Sequence, residues 1–165
     1  MVREPIGRNI SAFFQNFERD TKIPFEKNKY STQEIKSFFL NNFPHFESVR
    51  WFDNVFKKEL GVDIYNFKFP DQKWNIIETV RVDILIYQYD IPDSLKCQLV
   101  KKFLSLKNFD LKNENLSNEK DYSWEYKNLK NTCFEKDFLE PLLNSKYVNQ
   151  FYKSEKNQLF MKWME

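Results

Sequence analysis

Arg3, Pro5, Gly7 and Ser11 stand close together in the opening stretch VREPIGRNISAFF, and they are residue types that can hold an anionic ester. A guanidinium offers a planar fork of donors matched to phosphate, and a serine hydroxyl adds a hydrogen bond without adding charge. Pro5 suits the first turn of a helix, where its missing N–H costs nothing. If residues 1–4 end a strand, Arg3 lies at its carboxyl end beside the helix's unpaired N–H groups, which is a place for an anion. On a 3.6-residue period Arg8, Ser11 and Gln15 share a polar face, while Gly7 and Ser11 lie toward its apolar border. Gly7 would let a ligand or a neighbouring backbone come close. The same residues also fit a purely structural reading, with Arg3 paired to Glu4 or another surface carboxylate and Ser11 a packing hydroxyl.

Other chemistry is sparse. His45 is the single histidine, and its titration range suits a general base. Its setting between aromatics in NFPHFES, however, favours packing or helix entry. Cys97 and Cys133 stand far apart without CxxC or Cys/His spacing, so neither a disulfide framework nor a zinc site is favoured. No cluster of His, Cys or carboxylates has metal-ligand spacing, and no metal is implied. The thiols point to a reducing compartment and a cytoplasmic protein.

These groups must be positioned by a chain of 165 residues, enough for one domain over 1–165. Its core has to be built from rings, with 18 Phe, 8 Tyr and 4 Trp. The 26 basic and 24 acidic residues give a net charge of +2 without a run of one sign, so there is no footprint for a nucleic-acid partner. No stretch approaches the ~20 apolar residues of a membrane span.

Ile6, Ile10, Phe13, Phe14 and Phe17 form the apolar stripe of a first helix from Pro5. Ser31 and Glu34 read as a capping box before Ile35, Phe38, Phe39 and Phe43. Val49, Phe52, Val55 and Phe56 predict a third helix ending at Gly61. KWNIIETV and VDILIYQY read as strands joined by a turn at VR, and the apolar run Ile84, Leu85, Ile86 predicts a central strand. A helix over Leu95, Leu99, Val100, Phe103 and Leu104 follows. Then comes a polar loop long enough to be functional, and helices around Trp124 to Leu129, Phe138 to Leu143 and Ser154 to Trp163.

VREPIGRNISAFF resembles the phosphate-binding segment of the carbohydrate sulfotransferases, where a strand ends in arginine, a proline follows, and a serine comes later on the helix. The remainder is similar to a sulfotransferase-like group of bacterial capsular polysaccharide synthesis proteins. The landmarks are WFDNVFKKELGVDIYNFKF, VDILIYQYD, KKFLSLKNF followed by NENLSNEKDYSWEY, and SKYVNQFYKSE. The resemblance implies a helix-rich α/β, partial P-loop-like sulfotransferase fold with a small, mostly parallel sheet. It implies sulfuryl transfer from 3′-phosphoadenosine-5′-phosphosulfate to a saccharide hydroxyl, with Arg3 and Ser11 on the 3′-phosphate. It also makes Asn115, Ser117, Lys120 and Tyr122 nucleotide-side or lid positions. The plainer reading of that loop is a solvated segment with Tyr122 anchored to the core. For Trp51 and Trp124 a core role outweighs a stacking surface for sugar or adenine.

The resemblance also brings a demand. A sulfotransferase needs a strand, loop and helix around the 5′-phosphosulfate, normally ahead of the arginine segment. The only glycines here are Gly7 and Gly61, and no Gly-rich loop precedes a Lys and Ser or Thr. The expectation is therefore the C-terminal portion of a sulfotransferase-like fold; a non-catalytic saccharide- or nucleotide-binding scaffold is the alternative. A strand-end carboxylate of the family would fall on Asp90, but YDIPD departs from the family's Glu-Asp-Leu pattern, so no base is assigned to Asp90 or Asp93.

Overall fold

A computed structural model of the chain describes residues 1–112 and 120–164. Helix α1 (Pro5–Gln15) begins at the proline and buries Ile6, Ile10, Phe13 and Phe14. A short α2 (Phe17–Thr21) follows after Asn16 and ends at Lys22, whose φ is 61°. Helix α3 (Thr32–Asn42) starts at the capping box: the Glu34 N–H donates to the Ser31 hydroxyl, and the Glu34 carboxylate accepts from the Ser31 backbone N–H at 2.8 Å. The third expected helix is α4 (Glu47–Trp51), a π-helical turn (Phe52–Phe56) and α5 (Lys57–Leu60). It ends at Gly61, where φ of 69° suits a residue without Cβ.

Strand β1 (Trp74–Glu78) pairs with β2 (Asp83–Tyr87) in a two-stranded antiparallel sheet, with Ile77 opposite Ile84 and Trp74 opposite Tyr87. This corrects the expected mostly parallel sheet. Residues 79–82 are too few for a parallel crossover, which needs a dozen or more. The Thr79 hydroxyl closes the turn instead, donating to the Val82 carbonyl and accepting from the Arg81 and Val82 N–H groups. The Ile84 to Ile86 run is half-buried, with only Ile86 fully inside. Among the described residues parallel pairing is confined to single bridges, including Val2 with Gln88, where the Val2 N–H donates to the Tyr87 carbonyl (2.8 Å) and the Tyr89 N–H to the Val2 carbonyl (2.7 Å).

Helix α6 (Asp93–Phe103) buries Leu99 and leaves Leu104 exposed just past its end. Helices α7 (Ser123–Lys130), α8 (Lys136–Leu143) and α10 (Lys156–Trp163) fall where the apolar spacing predicts them. Between the last two lies α9 (Lys146–Phe151), an element the spacing does not reveal, capped by the Ser145 hydroxyl. Phe13 sits at the centre of the core, with Phe14, Phe17, Phe39 and Phe43 edge-on around it at 5.3 to 6.2 Å. A second ring cluster gathers Phe52, Phe56, Tyr65, Tyr147 and Phe151.

Candidate functional site

The start of α1 is held by the residues flanking it. The Glu4 carboxylate folds back over the first turn and accepts from the N–H groups of Ile6 (2.9 Å) and Gly7 (2.8 Å). The N–H groups read from sequence as open to an anion are thus satisfied by the chain's own carboxylate. Gly7 makes this possible, because a Cβ there would stand 2.2 Å from Glu4 Oε1. Burial raises the Glu4 pKa, opposed by the Lys162 ammonium 3.9 Å away and by the two N–H donors. Behind Glu4, the buried Tyr147 hydroxyl donates to the Arg3 carbonyl (2.9 Å) and accepts from the Arg3 N–H (3.0 Å). Tyr152 donates to the Val2 carbonyl at 3.3 Å.

With its backbone fixed, Arg3 directs its guanidinium over the Tyr89 ring, 4.9 Å from the centroid, and Lys96 approaches the same ring at 4.9 Å. Ser11 donates to the Gly7 carbonyl (3.0 Å), as a mid-helix serine commonly does. Its oxygen also lies 3.1 Å from the Tyr126 hydroxyl. Either hydroxyl can be the donor in this pair, the Ser11 proton being shared between the Gly7 carbonyl and Tyr126. Burial pushes the Tyr126 phenol up, but Ser11, the Arg3 guanidinium and the Lys130 ammonium outweigh it, and the pKa falls below the ordinary tyrosine value. Arg3 and Ser11 are therefore linked through Tyr126, which lies within the helix expected around Trp124 to Leu129.

Arg3 opens onto a cleft of about 360 Å³ whose walls also carry Glu4, Lys73, Tyr89, Lys130 and Lys162. Lys73 is held by Glu155 (2.8 Å) and Asp90 (3.2 Å), and the hydrogen bond it donates to Glu155 leads the causes that raise its pKa. For Glu155 burial acts to raise the carboxyl, yet the hydrogen bonds from Lys73 and Ser154 prevail and lower it. What the corner offers chemically is the Arg3 guanidinium with the ammonium groups of Lys73, Lys130 and Lys162 around one space, balanced by the carboxylates of Glu4, Asp90 and Glu155, while Tyr126 reaches Arg3 from outside the cleft lining.

Other sequence-predicted residues lie elsewhere. Tyr122 stacks on Phe14 at 5.2 Å and meets Phe25 edge-on at 6.1 Å, and burial raises its pKa. The Lys120 carbonyl accepts from Ser123 at 2.9 Å. Neither residue lines the Arg3 cleft. Asn115 and Ser117 lie outside the described residues. His45 is buried among Phe39, Phe43 and Phe138, with Nε2 2.8 Å from the Phe39 carbonyl, and burial lowers its pKa. Trp51 and Trp124 are about half exposed, so neither is a core ring. Cys97 and Cys133 are free thiols. Among the described residues no helix is long and apolar enough to cross a membrane.

No curated protein and no solved structure matches the chain. A family model described as "Putative capsular polysaccharide synthesis protein" (NKWYS) matches residues 20–153. The match takes in Lys73, Tyr126, Lys130 and Tyr147 and begins after Arg3 and Ser11. It covers most of the sequence, and the chain belongs to this capsular polysaccharide synthesis family.

Proposed function

We propose that the chain is part of a sulfotransferase acting in polysaccharide synthesis, moving a sulfuryl group from 3′-phosphoadenosine-5′-phosphosulfate to a saccharide hydroxyl. The observation that carries this reading is the Arg3 guanidinium opening onto a cleft that Lys130 also lines, with the linked hydroxyls of Tyr126 and Ser11 behind Arg3. The 3′-phosphate is assigned to the Arg3 guanidinium, which the Tyr126 and Ser11 hydroxyls back from outside the cleft lining. Lys130 supplies a further positive charge. The residues present fit the 3′-phosphate; none is assigned to the 5′-phosphosulfate. The second reading, a scaffold that binds nucleotide or saccharide without transfer, draws on the absence of a Gly-rich phosphate loop from the sequence.

Calorimetric titration with adenosine 3′,5′-bisphosphate tests the nucleotide half. Charge-assisted hydrogen bonds contribute about 1.5–3 kcal/mol. Arg3→Ala is expected to weaken binding roughly 10- to 100-fold, with smaller losses for Tyr126→Phe and Ser11→Ala. A folded chain that does not bind the bisphosphate removes the nucleotide and leaves a saccharide scaffold.

A further inference from the structure

A larger cleft, of about 630 Å³, shares Lys73 and Glu155 with the Arg3 cleft, so their ion pair stands where the two spaces adjoin. Its walls come from residues 68–71, from Gln88 just past β2, and from the last turn of α9 with the residues after it. None of Arg3, Ser11, Tyr126 and Lys130 lines this space.

The lining is chemically specific. Gln88 is 1% exposed; its Nε2 donates to the Phe151 carbonyl, and its Oε1 has no hydrogen-bond partner among the described residues. A buried amide oxygen left unpaired is costly, and in a wall of a cleft it calls for a donor such as a hydroxyl or an ordered water. Gln150 spends its Nε2 on the Phe67 carbonyl at 2.5 Å, which leaves its amide oxygen as an acceptor. Phe69, held edge-on against Phe151 at 5.1 Å, adds an apolar surface beside these amides. Amide acceptors next to an aromatic ring match a sugar, whose hydroxyls donate and whose C–H face packs on rings.

Charge narrows the class. Lys73 is engaged by Glu155 and Asp90, whereas Lys68 and Lys153 are exposed and form no ion pair among the described residues. Asp71 is the cleft's other carboxylate, so the balance of unengaged charge is positive. We infer that this cleft binds an acidic, uronate-bearing saccharide, with Gln88 and Gln150 reading hydroxyls and Lys68 and Lys153 reading carboxylates. The inference rests on the saccharide part of the proposed function and is independent of the nucleotide. Through the shared Lys73 and Glu155, a sugar held here lies beside the anion corner.

The test is titration of the whole chain at low salt with two probes: a hyaluronan tetrasaccharide, which carries glucuronate, and neutral cellotetraose. The charged probe is expected to bind at least tenfold more tightly. The double variant Lys68→Ala/Lys153→Ala should erase that difference without moving the thermal midpoint, and Gln150→Ala should weaken the charged probe. Adenosine bisphosphate titrated in parallel should bind the double variant as it binds the parent. Equal affinity for the two sugars, indifference to the lysines, or no binding of the charged probe at millimolar concentration overturns the inference. If the bisphosphate does not bind but the charged sugar still depends on the lysines, the nucleotide reading falls and the saccharide cleft stands.

Discussion

At Gly7 the missing side chain lets a carboxylate lie across the first turn of α1, and this reverses a common rule. Replacing a helical glycine by alanine ordinarily stabilises by up to ~1 kcal/mol. Here the new Cβ would displace Glu4, losing two charge-assisted hydrogen bonds of about 1.5–3 kcal/mol each at most. Gly7→Ala is therefore expected to lower stability by about 1 kcal/mol or more, measured by urea unfolding. An unchanged or raised midpoint would show that Glu4 contributes nothing there. Sequence reading identified Gly7 as a point of close approach but not what approaches, because glutamate is outside the usual capping set of Ser, Thr, Asp and Asn. Tyr126 escaped notice for a related reason. A tyrosine within an apolar helical stripe looks like core, and only the packing of α7 on α1 brings its hydroxyl to Ser11.

Among the elements, the helices were legible wherever a terminal signal accompanied the apolar spacing: Pro5 for α1, Ser31 with Glu34 for α3, Gly61 for the end of α5. Helix α9 has only six residues, too few for a period to emerge, although Ser145 caps it. The sheet's sense was misread because an unbroken apolar run implies a strand covered on both faces, while the short turn beside it already demanded an antiparallel pair. Through α9, Tyr147 bonds both backbone groups of Arg3. Tyr147→Phe leaves that buried N–H and carbonyl without partners, a cost of about 1–3 kcal/mol. Stability should fall by that amount, and bisphosphate affinity should fall with it, since the guanidinium loses its fixed base. A stability loss with unaltered affinity would separate the α9 anchor from the anion corner.

Over the whole molecule, two linked ring clusters form a core that composition announced but could not arrange. His45 is enclosed in the first of them, and its burial sets a pH dependence. Its pKa in the fold lies below the unfolded value of about 6.5, so between those values the unfolded chain binds more protons. Stability is full above ~6.5 and declines as pH falls toward the folded pKa. Glu4, whose pKa is raised, acts in the opposite sense in the carboxylate range. The single imidazole should give one proton resonance titrating below ~6.5, accompanied by a falling urea midpoint over the same interval; a midpoint at or above 6.5 would place the ring in water. The anchoring of Arg3 also orders events in time. Its partner Tyr147 lies 144 positions along the chain. At ~5–20 residues per second of synthesis, the first residues wait on the order of ten seconds before α9 has been made. The anion corner is thus completed well after its own segment is made, only once the stretch carrying Tyr147 has left the ribosome.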